Sequence, residues 1–220
     1  MTSAPPEADV RHSLFGPLVV EFDDRVLAPR DWTLLQSRWA AELARDAEPG
    51  PILELCAGAG HIGLAAALLS RRQLVQVELD PVAAHYARRN AASARWHAHV
   101  DVRVAPLSDA LADEERFPIV VADPPYLRSA DVGRWADDPP GAIDGGPDGL
   151  HVIRQCLRVA ARHLTADGRL LLQTAGRSQA AEIGDLLHDN PTLGLHAQDV
   201  REYDDERSVL LISRSITAQR

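Results

Sequence analysis

Ile52-Leu53-Glu54-Leu55-Cys56-Ala57-Gly58-Ala59-Gly60-His61-Ile62-Gly63 opens on a short apolar run, passes through a glycine-rich bend and leads into an Ala/Leu stretch that extends to Ser70. The run Ile52 to Cys56 reads as a strand buried on both faces, and His61 to Ser70 as a helix. Gly58, Gly60 and Gly63 satisfy GxGxxG, and Glu78 ends the next apolar run, Leu74 to Glu78, twenty residues beyond Gly58. Strand, glycine loop, helix, strand and acid in that order form a nucleotide-binding unit. The glycines let a cofactor approach the backbone, and the carboxylate accepts from ribose hydroxyls. Dinucleotides and other adenosyl cofactors share both demands, so the loop leaves the cofactor open.

The alternation of strands and helices continues outward. Pro81 to Ser93 reads as a helix opened by proline, His99 to Val104 and Ile119 to Ala122 as strands, and Leu127 to Gly146 as a Gly/Pro/Asp-rich loop. A helix from about Leu150 to Leu164, ended by Asp167-Gly168, precedes a strand at Arg169 to Thr174 and a further helix at Ser178 to His188. Leu195 to Tyr203 and Ser208 to Ile212 are joined only by Asp204-Asp205-Glu206, too short for a crossover helix, so the final strand should run antiparallel. The expected fold is α/β: a mostly parallel seven-stranded sheet with an antiparallel C-terminal strand and helices on both faces. Ahead of it, Met1 to Gly16 reads as a loose lead-in. Leu18 to Phe22 and Arg25 to Leu27 read as a hairpin turning at Asp23-Asp24, and Trp32 to Ala44 as an amphipathic helix. The chain thus divides into residues 1–47 (lead-in, hairpin and helix) and residues 48–220, the cofactor-binding domain.

A second motif ends the strand at Ile119 to Ala122. In Asp123-Pro124-Pro125-Tyr126 the two prolines lack amide donors and fix φ, so the strand stops there. Its carboxyl end carries an acid, an unpaired carbonyl and an aromatic ring, where open α/β sheets bind ligands. Asp123 and the Pro124 carbonyl can accept the two hydrogens of a flat amino or amide nitrogen while Tyr126 covers its face.

Composition narrows the classes. In 220 residues that are 45% hydrophobic, the formal net charge of −9 offers no electrostatic footprint for long nucleic acid. A protein or small-molecule partner is favoured. Cys56 and Cys156 are the only cysteines, so no disulfide framework or CxxC metal site is expected, which fits a cytoplasmic protein. His97 and His99 are read as sharing a strand face without a third ligand, so no metal is assigned. No apolar segment has the length of a membrane span.

Three features favour S-adenosyl-L-methionine over a nicotinamide cofactor. Glu54 stands two positions before Cys56-Ala57-Gly58, as the acid does in the E/DxGxGxG loop that binds the sulfonium cofactor, with Cys56 in place of its first glycine. The acid-Pro-Pro-Tyr motif suits methyl transfer to nitrogen and has no role in hydride transfer, and the antiparallel last strand fits a class I methyltransferase. An NAD-linked oxidoreductase and a catalytically silent cofactor-binding module are the readings from other classes.

From about Arg25 to Thr174 the chain resembles the release-factor glutamine methyltransferases. Val26-Leu27-Ala28-Pro29-Arg30 with Thr33 is similar to that family's Pro-Arg-Pro-acid-Thr-acid segment, and Phe117 to Tyr126 to its strand ending in Asn-Pro-Pro-Tyr. Asp144-Gly145-Gly146-Pro147-Asp148-Gly149-Leu150 is similar to its Gly-Gly-x-Asp-Gly-Leu element. The resemblance implies an N-methyltransferase that binds S-adenosylmethionine through Glu54, Cys56, Ala57, Gly58, Gly60, Glu78, Leu79, Leu107, Ser108 and Asp123. It implies catalytic roles for Asp123, Pro124 and Tyr126, and acceptor contacts from Arg30, Pro125 and Tyr126. The acceptor implied is a protein glutamine amide. Asp123 replaces the family's Asn, and an ionised Asp only accepts hydrogen bonds, so a small-molecule or nucleobase amine is the alternative. Asp31, Trp32 and Leu34 replace the family's Pro and two acids.

Overall fold

The computed structural model describes residues 9–215. Its elements run β1 (Arg11–Phe15), β2 (Leu18–Phe22), α1 (Leu34–Asp46), β3 (Ile52–Leu55), α2 (His61–Ser70), β4 (Leu74–Glu78), α3 (Pro81–Ser93) and β5 (Val100–Val104). They continue with β6 (Phe117–Ala122), α4 (Pro140–Ile143), α5 (His151–His163), β7 (Leu164–Thr174), α6 (Gly176–Asp189), β8 (Leu195–Asp204) and β9 (Arg207–Arg214). Seven strands form one sheet in the order β5-β4-β3-β6-β7-β9-β8. Only β9 runs against its neighbours, being antiparallel to both β7 and β8. The mostly parallel sheet with an antiparallel final strand is therefore as expected.

Period-two alternation assigns the strand side chains to two cores. Ile52, Ile119, Val121, Leu171 and Leu211 pack on one face with α1, α2, α3 and the hairpin; Leu53, Leu55, Val120, Leu170 and Leu172 pack on the other with α5 and α6. Both faces of β3 and β6 are thus covered, which is why these strands read as continuous apolar runs. The chain leaves β3 toward β4 and β5 on one side and returns to place β6 on the other. The carboxyl ends of β3 and β6 therefore flank the topological switch point, and Leu55 pairs with Ala122 so that Cys56 and Asp123 emerge side by side.

Several local expectations are corrected. Part of the expected lead-in is a strand: β1 pairs antiparallel with β2 about Gly16-Pro17, and residues 1–8 lie outside the described residues. Asp23-Asp24 does not turn a hairpin. Asp23 is fully buried and accepts hydrogen bonds from the Arg25 backbone and guanidinium and from the Tyr86 hydroxyl at 2.7 Å, which ties the end of β2 to α3. His97–His99 is a single 3-10 turn rather than strand, so the two histidines share no strand face; His99 stacks at 4.6 Å on Trp96. The helix α5 passes directly into β7, where the register shifts between the Phe117–Leu164 and Ile119–Arg169 pairs. Asp167-Gly168 lies in that irregular start and does not end the helix. The long loop after Tyr126 contains α4 and a 3-10 turn at Val132–Arg134.

Candidate functional site at the switch point

The glycine loop bends over the end of β3, and its residues divide into two kinds. Gly58, at φ +54, faces open space: a Cβ added there meets no heavy atom within 4 Å. Gly60, at φ +77, is a packing position, since a Cβ would lie 2.6 Å from Gln76 Nε2 and 2.9 Å from Ala87 Cβ. Gly63 is closed off in the same way by the Glu54 carboxylate. Glu54, expected among the cofactor contacts, lies beneath the loop at 2% exposure, accepting from Gly63 N at 2.8 Å and Gln76 Nε2 at 2.6 Å. It anchors the loop from below, because the start of α2 exposes free amides that a carboxylate satisfies.

Cys56 stands where the family loop has glycine and takes a left-handed φ of 57°. Such a conformation costs an L-residue roughly 1–2 kcal/mol. The Cys156 thiol beside it and burial push the Cys56 thiol up, so it remains protonated. Ala57 donates its amide to the Val77 carbonyl at 3.1 Å and so pins the loop to β4. At the end of β4 the Glu78 carboxylate accepts from Gly58 N at 2.6 Å and Asp80 N at 2.8 Å. Burial pushes its pKa up. Beside it Leu79 and Val104 stand 68% and 44% exposed at the ends of β4 and β5, an uncovered apolar surface where a planar ring would pack. Leu107 packs on the second core and Ser108 is exposed in the turn after β5. These residues meet on the β3–β5 side of the switch point.

On the β6 side, Asp123, Pro124 and Tyr126 line a cavity of 370 Å³ together with Arg30, Trp32 and Arg207. Among the described residues no donor bonds the Asp123 carboxylate or the Pro124 carbonyl, so both acceptors are available to a ligand. Burial pushes the Asp123 carboxyl up to about 7 and the Tyr126 hydroxyl upward as well. Burial likewise pushes Glu54 to about 7, with the charge of Asp123 contributing. Of the two, only Asp123 lines the cleft, and a carboxyl with its pKa raised by burial in such a place is the electrostatic pattern of a functional site.

Pro125 does not line the cavity. Its carbonyl faces inward to Gly145, where a Cβ would lie 2.7 Å from Pro125 O and from Gly149 O. Leu127 exchanges backbone hydrogen bonds with Ile143 and Gly145, at 3.0 and 2.8 Å, and Gln179 Nε2 holds the Tyr126 carbonyl at 2.9 Å. Asp144 accepts from Ser129 Oγ at 2.7 Å and Gly146 N at 2.9 Å, and Asp148 accepts from Leu150 N at 3.0 Å. The element Asp144 to Leu150 is therefore the cradle that fixes the Pro-Pro-Tyr turn, and its glycines are required by close backbone approach.

Three participants escaped sequence reasoning as contacts. Gln36, fully buried on α1, donates from Nε2 to Ala122 O at 2.9 Å and Leu171 O at 3.0 Å, gripping the strand end that carries Asp123. Arg207 is the first residue of β9, just after the β8–β9 turn, and Trp135 comes from the loop after Tyr126. An isolated Gln in an amphipathic helix and an Arg in a charged turn carry no local signal of a site. His61 packs edge-on against Phe15 at 4.6 Å; burial pushes its pKa down to about 4.

Residues 38–135 match the family profile described as Conserved hypothetical protein 95. The release factor glutamine methyltransferase of Mycolicibacterium smegmatis is 35% identical over 184 residues, covering 80% of this chain and 63% of that protein. That of Xylella fastidiosa is 31% identical over 205 residues, covering 91% of this chain and 72% of that protein. The chain belongs to the release-factor glutamine methyltransferase family. It spans 63%, 59% and 53% of three of its curated relatives, so it is shorter than the proteins it matches. The hMettl16 catalytic domain, solved with an RNA hairpin, superposes with a TM-score of 0.73 at 14% identity, covering 92% of this chain and 76% of that one. At that identity the likeness concerns the fold, which is that of class I methyltransferases. In this chain Asp123 heads the tetrapeptide and Trp32 stands at the cavity wall.

Proposed function

We propose that the protein transfers a methyl group from S-adenosyl-L-methionine to a nitrogen, its best-supported acceptor being the side-chain amide of a protein glutamine. The observation that carries this reading is the pair of available acceptors, Asp123 and the Pro124 carbonyl, emerging beside the glycine loop at the switch point. The chain fits the cofactor: the space over Gly58 is open, Glu78 stands at the end of β4 for ribose hydroxyls, and Leu79 with Val104 offers an apolar face for adenine. Once bound, the sulfonium supplies an electrophilic methyl group.

The chain's own residues then have to align a nitrogen with that methyl group. Asp123 and the Pro124 carbonyl accept the two hydrogens of the nitrogen and turn its lone pair toward the cofactor side. The same acceptors stabilise the positive charge that develops on the nitrogen as its bond to carbon forms and the carbon–sulfur bond breaks. The proton that the nitrogen must then shed would pass to the ionised Asp123 carboxylate and on to water. Tyr126 covers the planar group, and Gln36 with the Asp144 to Leu150 cradle keeps both acceptors in place. An amine acceptor is a second reading, favoured by one observation: Asp123 offers no donor for an amide carbonyl when ionised.

Calorimetry with S-adenosylhomocysteine and transfer of labelled methyl to a glutamine-containing release factor test the proposal. Binding together with glutamine labelling that Asp123→Ala abolishes is expected. Absence of cofactor binding refutes the methyltransferase reading, and labelling of amines alone replaces the amide.

A further inference from the structure

Asp138, Arg30, Trp32, Arg207 and Asp204 form a continuous chain of contacts across three segments at the mouth of the 370 Å³ cavity. Arg30 is ion-paired with Asp138 and has its guanidinium carbon 5.6 Å from the Trp32 ring; Arg207 lies 4.0 Å from the same ring and 2.6 Å from Asp204. Trp32 and Tyr126 both line that cavity. Stacking by arginine desolvates one face of each guanidinium and fixes its plane, so this clasp is preformed.

Resting on the reading of Asp123 as the centre of methyl transfer, we propose that this cavity is the docking groove for a basic polypeptide segment. The acceptor side chain enters beside Trp32 and Tyr126, and Arg30 and Arg207 bind the segment's backbone carbonyls. Size is the first argument: ligand pockets start at about 300 Å³, so the cavity has room for more than one side chain. Donor chemistry is the second. Each guanidinium uses one nitrogen on its carboxylate, and among the described residues makes no other hydrogen bond. The remaining N–H groups suit neutral carbonyl oxygens, whereas a phosphate would have to compete with Asp138 and Asp204 for the cations. Charge is the third. Asp205 and Glu206 line the cavity, exposed and without an ion-pair partner among the described residues, and the exposed Asp31 and Asp137 adjoin lining residues. Arg134, the third lining cation, lies 3.8 Å from Asp131. The mouth is net acidic, which draws in lysine and arginine side chains and repels a nucleic-acid backbone.

The test measures fluorescence anisotropy of three labelled probes, with and without S-adenosylhomocysteine: a glutamine peptide with lysine flanks, its twin with glutamate flanks, and single-stranded RNA of similar length. The lysine-flanked peptide should bind about tenfold or more tightly than its twin, with RNA weakest. Because the whole protein is acidic, the decisive comparison is between two triple variants. Asp137→Asn/Asp205→Asn/Glu206→Gln should reduce the preference to about twofold, while Glu114→Gln/Asp167→Asn/Asp189→Asn, at the opposite end of the sheet, should leave it intact. Arg207→Ala should weaken both peptides without changing the affinity for S-adenosylhomocysteine. Tighter RNA binding, a preference that survives at the altered mouth, or equal losses in the two triple variants overturns the proposal. Failure of S-adenosylhomocysteine to bind refutes the methyltransferase reading instead and leaves the peptide comparison standing.

Discussion

Asp123→Asn separates what the carboxylate does for chemistry from what it costs the fold. Burial raises the Asp123 carboxyl from 3.8 to about 7, with no hydrogen bond or cation among the described residues to oppose the shift. The neutral form therefore prevails below that value and the accepting, charged form above it. If the charged form holds the nitrogen's hydrogens, the competent fraction rises from about a tenth at pH 6 to about nine tenths at pH 8. For an amide acceptor, which does not titrate in this range, kcat/KM should then climb about tenfold. Asn at this position has no such transition, so its profile should be flat. The same shift has a thermodynamic consequence of determined sign. A folded pKa raised above the unfolded one gives a contribution that is fully present below 3.8 and lost as pH rises to about 7. Three units correspond to about 4 kcal/mol, and partial exposure of Asp123 brings this to roughly 2. Asp123→Asn should thus be the more stable protein at pH 8 and lose that advantage toward pH 4. Urea unfolding across this range and initial rates with labelled cofactor measure both effects. A wild-type rate that is flat between pH 6 and 8, or an identical limb in Asp123→Asn, refutes the assignment.

Glu54 has the same sign through its own burial: pushed from 4.5 to about 7, it should cost the wild type about 2 kcal/mol between about pH 5.5 and pH 8. Glu54→Gln should flatten the stability profile by that amount, and an unchanged slope would show that the buried carboxyl is not the titrating group. Gly58→Ala should lower stability by only about 1 kcal/mol but reduce affinity for S-adenosylhomocysteine of order tenfold, since its Cβ enters open space. Gly60→Ala should lose about 2–4 kcal/mol by forcing Gln76 and Ala87 apart; the reverse ranking in differential scanning fluorimetry contradicts the division of roles. Arg72 donates to the carbonyls of Ala44, Ala47, Glu48 and Gly50, so Arg72→Ala should cost about 2–3 kcal/mol in urea unfolding while calorimetry shows cofactor affinity unchanged.

What could be read in advance follows from the range of the interactions. β3, α2, β4 and α3 are specified within short segments, by apolar runs, a proline at a helix start and glycines at a bend, and their boundaries were legible. β1 was not: Arg11-His12-Ser13 is polar because those residues are largely exposed, and only Phe15 is buried, so the strand exists through its register with β2. Asp123 was legible because two prolines mark its position. The division of labour among the glycines was not, because what fills Gly60 and Gly63 comes from Gln76, Ala87 and Glu54, on other elements. In sequence Trp32 opens an amphipathic stretch and departs from the family pattern, and neither feature points to a cavity wall. Its meaning depends on Arg207, which sequence places near the other end of the chain and the sheet brings to 4.0 Å.

The site holds its two principal acceptors without partners, and this absence itself discriminates among ligands. A half-buried carboxylate and an unpaired carbonyl both raise the free energy of the empty site, because each has lost part of its water without gaining a protein donor. A nitrogen bearing two hydrogens removes both deficits at once, whereas a hydroxyl satisfies only one. In the proposed reaction the advantage grows, since the nitrogen would become more positive as its new bond forms and the acceptors would bind it more strongly in the transition state than in the ground state. Such a site requires a scaffold that keeps the carboxylate from finding another donor. Gln36, the Gly145–Gly149 cradle and the Trp32 clasp do this from three sides, through backbone carbonyls, close glycine packing and ion pairs among themselves. Loosening any one of them would let Asp123 shift toward a neighbouring amide and out of register with the Pro124 carbonyl. Methyl transfer would then fall, and stability would fall with it at Gln36, whose loss strips two buried carbonyls of their donor, and at Gly145 or Gly149, where a Cβ would meet backbone oxygen at 2.7 and 2.6 Å.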